Sequence, residues 1–113
     1  MVTIIVYGIY EKRELKKFVE ALVNTAAYAV EELDIKVTDV SLFFPECHMI
    51  NNWGEKIFAL VNLINKPERT EEAKNRLAQS IVLTVSHFFP ETKSIECFVK
   101  TFNPKKGYSS LIK

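Results

Sequence analysis

Apolar residues fill both alternating sets of positions at the start of the chain: Val2, Ile4 and Val6 fall on one side of an extended backbone, Ile5, Tyr7 and Ile9 on the other. That pattern predicts a strand over Val2 to Ile9 lying inside a sheet rather than at its margin. The spacing then changes. Leu15, Phe18, Val19, Leu22, Ala26, Ala29 and Leu33 recur every three or four residues, which predicts an amphipathic helix over Glu11 to Leu33 with Glu14, Lys17, Glu20 and Glu31 on its wet side. β-type composition returns over Val37 to Phe44 and stops at Pro45, which has no amide donor and restricts the residue before it.

The same order then repeats. Ile57 to Ile64 reads as a strand, Thr70 as an N-cap followed by the acidic pair Glu71 and Glu72, and the stripe Ala73, Leu77, Ile81, Val85 and Phe88 as the buried side of a helix that Pro90 stops. Ser94 to Phe102 is the last strand, with Ile95, Cys97, Val99 and Thr101 on one face and Phe98 and Phe102 on the other. The predicted class is α/β: two tandem β-α-β units forming one four-stranded sheet with two helices on one face, since right-handed crossovers can place both helices there. The opposite face stays apolar. Burying each large side chain is worth about 1.5–3 kcal/mol, so the uncovered face predicts self-association with sheet faces pressed together. A ferredoxin-like domain has the same element order, but exposes its sheet as a binding face and has no need to associate.

Composition narrows the setting. With 113 residues, 48% hydrophobic and 26% charged, the chain suits one domain, 1–113, built of pseudo-repeats 1–54 and 55–113. Fifteen basic against 14 acidic residues leave a net charge of +1, which predicts neither a nucleic acid nor a membrane partner. Lys93, Lys100, Lys105, Lys106 and Lys113 gather toward the end as a solvated edge. Cys47 and Cys97 make no disulfide framework, the first residues lack the parts of a secretory signal, and no apolar run approaches the ~20 residues of a membrane span. The expected location is a reduced cytoplasm.

The doubled β-α-β pattern from residue 2, with the stretches Val2 to Ile9 and Thr38 to Phe44, the turn Asn51-Asn52-Trp53-Gly54 and the tail Phe102-Asn103-Pro104-Lys105-Lys106-Gly107-Tyr108, resembles the tautomerase superfamily. That family includes 4-oxalocrotonate tautomerase, 5-carboxymethyl-2-hydroxymuconate isomerase and macrophage migration inhibitory factor. The layout is similar to small bacterial members of unassigned function. The resemblance, which covers nearly the whole chain, implies a homotrimer or higher oligomer and keto–enol tautomerisation or isomerisation of a small planar 2-keto or 2-hydroxy acid. In the family an N-terminal proline is the base; the matching position is Val2. With Met1 removed, a primary amine stands there, and an α-amino pKa of about 7.7–8.0 needs only modest desolvation to leave it free at neutral pH.

The family's carboxylate-holding arginine on the second strand matches Ser41. Lys12, Arg13 and Lys36 are possible substitutes, or plain surface cations. The turn with Trp53 implies an aromatic wall reaching a neighbouring subunit's pocket, or interface packing. Tyr108, in a tail that pairs with the next subunit in the family, implies a shared site in which a phenol donates to a developing enolate oxygen; Tyr7 and Tyr10 offer the same group or simple packing. The rival reading is a non-catalytic oligomeric binding module of the same fold.

No cofactor or metal is expected. Adjacent Cys47 and His48 point apart and have no second pair at ligand spacing, and His87 near the end of the second helix suits its dipole. Phosphate-loop, G-x-S-x-G and metalloprotease motifs are missing from the sequence.

Overall fold

The computed structural model describes residues 1–9, 15–45 and 56–111. Along them run β1 (Val2–Tyr7), α1 (Leu15–Tyr28), the 3₁₀ turns Glu31–Leu33 and Val37–Asp39, β2 (Val40–Phe43), β3 (Lys56–Ile64), α2 (Glu71–Phe88) and β4 (Ser94–Phe102). Among the described residues these make one four-stranded sheet in the order β2-β1-β3-β4. β1 runs parallel to β2 and β3 parallel to β4, while the two units join through the antiparallel pair β1–β3, with Val2 opposite Leu63 and Tyr7 opposite Phe58. Each unit therefore keeps its own strands side by side, in contrast to the split β-α-β order of a ferredoxin-like domain.

Alternation decides which side each strand buries. Val2, Ile4 and Val6 of β1 and Ile57, Ala59, Val61 and Leu63 of β3 join Phe18, Leu22 and Ala26 of α1 and Ala73, Leu77, Ile81 and Val85 of α2 in one core. Both helices thus lie on one face, in contact where the hydroxyls of Thr25 and Thr84 meet at 2.8 Å. Phe18 closes one end of the core against the rings of Phe44, Phe88 and Phe89, at 5.9, 5.4 and 5.1 Å between centroids.

Three boundaries differ from the sequence reading by two residues or more. The first strand ends at Tyr7 instead of Ile9 because Gly8 takes φ 97°, where side chains with a Cβ rarely sit. The first helix ends at Tyr28 instead of Leu33: Val30 is extended and Glu31–Leu33 forms a 3₁₀ turn closed by Asp34 at φ 49°. Residues three apart eclipse in such a turn, so Val30 and Leu33 still reach the core while Ala29 is exposed, which is why the helical spacing overran the helix. The second strand begins at Val40 rather than Val37, because the Asp39 amide donates to the Lys36 carbonyl at 2.9 Å and winds Val37–Asp39 into a turn.

Candidate functional site

β1 starts at Val2 in the interior of the sheet, flanked by Val40 of β2 and Leu63 of β3. The Val2 side chain is 1% exposed and faces the helices, whereas Met1 is 51% exposed. From this starting point the sheet's open face can be read in cross-strand rows. Thr3 is in register with Ser41 and Asn62, and Asn62 with Lys100, so one polar row crosses all four strands one residue from Val2. The next row inward is apolar: Phe43, Ile5, Leu60 and Phe98. Beyond it Tyr7 and Phe58 lie 5.8 Å apart, Phe58 and Phe98 5.3 Å, and Lys56 pairs with Glu96 at 3.0 Å. At the Val2 end Ile64 is in register with Phe102, whose ring packs at a tilt against that of Tyr108, 5.1 Å between centroids.

The structure therefore gathers Val2, Ser41 and Tyr108 at one end of the sheet. Phe102, whose ring meets Tyr108, ends the strand that lies two places from β1 in the sheet. Lys36 is at this end too, exposed, ahead of the turn that leads into β2. Lys12, Arg13 and Trp53 lie outside the described residues, as do Tyr10, Cys47, His48 and Gly54. Among the described residues no group of three His, Cys, Asp or Glu converges as a metal site would require.

A residue the sequence reading passed over is built into the same end. Arg69, 6% exposed, donates from Nε to the Leu33 carbonyl at 3.2 Å and from Nη1 to the Ile64 carbonyl at 2.7 Å, fastening the turn after α1 to the end of β3. Burial lowers its pKa from the ordinary arginine value, against the carboxylates of Glu68, Asp34 and Asp39, which raise it. The available clue was weak: a cation directly before the N-cap Thr70 opposes the dipole of α2, so another partner had to hold it. Cys97, on the helix side of β4, lines a groove of about 480 Å³ with Ala78, Gln79, Val82 and Leu83. Burial pushes its thiol up to about 12, so at neutral pH it is a protonated thiol and not a nucleophile.

No protein-family model matches the chain, and no curated protein matches its sequence. Solved structures do. The chain is similar to Pt0534 inactivated by 2-oxo-3-pentynoate, with a TM-score of 0.72 and 17% identity over 93% of this chain and 88% of that one. It is similar to a fused 4-OT described as a wild-type symmetric trimer, with a TM-score of 0.64 and 15% identity over 92% and 86%. N1, a member of the cis-3-chloroacrylic acid dehalogenase family, aligns with a TM-score of 0.70 and 10% identity over 95% and 79%. Two adjacent β-α-β units, joined through antiparallel central strands and covered by helices on one face only, thus form the tautomerase-like fold.

Proposed function

We propose that this chain is a homotrimeric, cytoplasmic keto–enol tautomerase or isomerase of small planar 2-keto or 2-hydroxy acids, with the amine of Val2 as its base. The observation that carries this reading is the position of Val2: it opens an interior strand at the end of the sheet where Ser41 and Tyr108 also lie. With Met1 removed, the amine takes a proton from the carbon beside the ketone as the C–H electron pair moves into an enolate. The resulting ammonium then returns the proton to the other end of the conjugated system. Tyr108 donates to the enolate oxygen, Trp53 walls the planar ligand, and Lys12, Arg13, Lys36 and Ser41 supply its carboxylate contacts. The trimer draws support from the apolar open face and from the trimeric fused 4-OT. A non-catalytic binding module is favoured by one fact, that the Val2 side chain is wholly committed to the core.

The test joins native mass spectrometry of untagged protein with labelling by 2-oxo-3-pentynoate, the reagent that inactivates Pt0534. The Val2 nitrogen adds to C4 of the alkynyl ketone, a π pair moves into the enolate, and the nitrogen's proton ends on C3; nothing leaves, so the mass rises by one whole reagent. A trimer without Met1, labelled on its N-terminal peptide, is expected. A monomer, or equal labelling of a chain bearing an extra N-terminal residue, overturns the amine mechanism. An unlabelled trimer that keeps Met1 is the binding module.

A further inference from the structure

Among the described residues the fold buries one polar or charged side chain, Arg69. What it holds lies beside Val2. Its Nη1 donates to the Ile64 carbonyl at 2.7 Å, and Ile64 directly follows Leu63, the register partner of Val2 on one side. Its Nε donates at 3.2 Å to Leu33, in the connection that leads through Ile35 and the turn Val37–Asp39 to Val40, the register partner of Val2 on the other side. Asp34 and Asp39 of that connection set their carboxylates in the field of the guanidinium. The backbone ties the same end together: the Arg69 amide donates to the Lys66 carbonyl at 2.9 Å, and the Asn65 amide to the carbonyl of Phe102 at 2.8 Å, the residue whose ring meets Tyr108. An uncharged side chain would avoid the cost of desolvating a guanidinium. What the charge adds is two strong, directional bonds from one rigid, planar group.

We propose that Arg69 is a positioning residue for the Val2 amine: by fastening the end of β3 to the turn after α1, it holds the strands that flank the first residue of β1. The proposal rests on the reading of Val2 as the base. Its action runs through Ile64 and Leu63 on one side and through Leu33 on the other, and needs no contact between Arg69 and the substrate. An amine that opens a strand has no residue before it to fix its direction, so the flanking strands set where its lone pair points. Displacing a reacting group by about 1 Å costs up to roughly a hundredfold in rate.

The experiment follows the rate at which 2-oxo-3-pentynoate labels the N-terminal peptide, as a function of reagent concentration, in the full-length wild type, Arg69→Lys, Arg69→Leu and Val85→Ala. Val85 is buried one turn from the C-terminal end of α2, whereas Arg69 precedes its first turn, so Val85→Ala loosens the core and leaves the clamp intact. The maximal labelling rate is expected to fall about tenfold in Arg69→Lys and further in Arg69→Leu, with the half-saturating reagent concentration unchanged and Val85→Ala labelled like wild type. Amide-detected NMR should show Thr3 and Val40 shifted in Arg69→Lys and unmoved in Val85→Ala. Arg69→Lys keeps the charge and carries the test if Arg69→Leu does not fold. A fall in rate that Val85→Ala matches overturns the proposal. So does a raised half-saturating concentration at an unchanged maximal rate, which would make Arg69 a binding group. Wild type labelled and Arg69→Lys labelled just as fast sinks the positioning role alone. Wild type that takes no label sinks the reading of Val2 as the base, and the positioning of its amine with it.

Discussion

Arg69 donates to two backbone carbonyls and is itself 6% exposed, so removing it has a definite cost. Arg69→Leu leaves the buried Leu33 oxygen unpaired at roughly 1–3 kcal/mol and removes the part-buried bond to Ile64 at about 1 kcal/mol, so we expect a loss of about 2–4 kcal/mol in urea unfolding. Arg69→Lys should recover part of it, since one ammonium nitrogen spans the pair less well than the guanidinium fork. A change under about 0.5 kcal/mol for Arg69→Leu would show that the clamp contributes little. At this scale the sequence was readable where a residue's position in the chain is its argument. Val2 is such a case: its place at the head of an interior strand follows from the two-faced apolar pattern after it. The sequence was unreadable where placement comes from register: that Ser41, Thr3, Asn62 and Lys100 share one row across the sheet does not follow from their places in the chain.

Elements whose ends are set by local chemistry were read closely. The second helix runs Glu71–Phe88, and the Thr70 hydroxyl accepts from the Ala73 amide at 3.2 Å, as an N-cap should. Thr70→Ala should therefore lose about 1 kcal/mol in urea unfolding and Thr70→Ser nearly none; equal stability of the two variants would show that the hydroxyl is not what caps α2. Ends set by tertiary fit were misread. After Tyr28 the chain leaves the α-helix without Gly or Pro, because Val30, Leu33 and Ile35 are all drawn into the core through a tighter turn. β2 begins late because Val37–Asp39 winds into a turn before it, and it pairs with β1 over Val40–Phe43.

For the whole molecule, element order and two-faced strands were enough to predict a four-stranded sheet with helices on one side; the register that makes rows out of strands was not legible from either half alone. The open face is where assembly is tested. Phe58→Lys places a charge between the Tyr7 and Phe98 rings and should weaken association at least tenfold by sedimentation, with little change in monomer stability because Phe58 already lies on the outward side. Unchanged sedimentation would show that this face joins no subunits. Closing a sheet by its face still leaves its rims. β2 offers four residues and β4 nine, so the rim of β4 is a long row of amides and carbonyls on which another strand can grow. Glu96 and Lys100 flank Phe98 symmetrically there. Fibre-like parallel stacking of β4 in register would set glutamate on glutamate and lysine on lysine, whereas an antiparallel meeting centred on Phe98 sets each against its opposite and then stops, as a two-fold contact does. The charges on the last strand thus steer rim contacts toward closed pairs and away from open-ended fibrils.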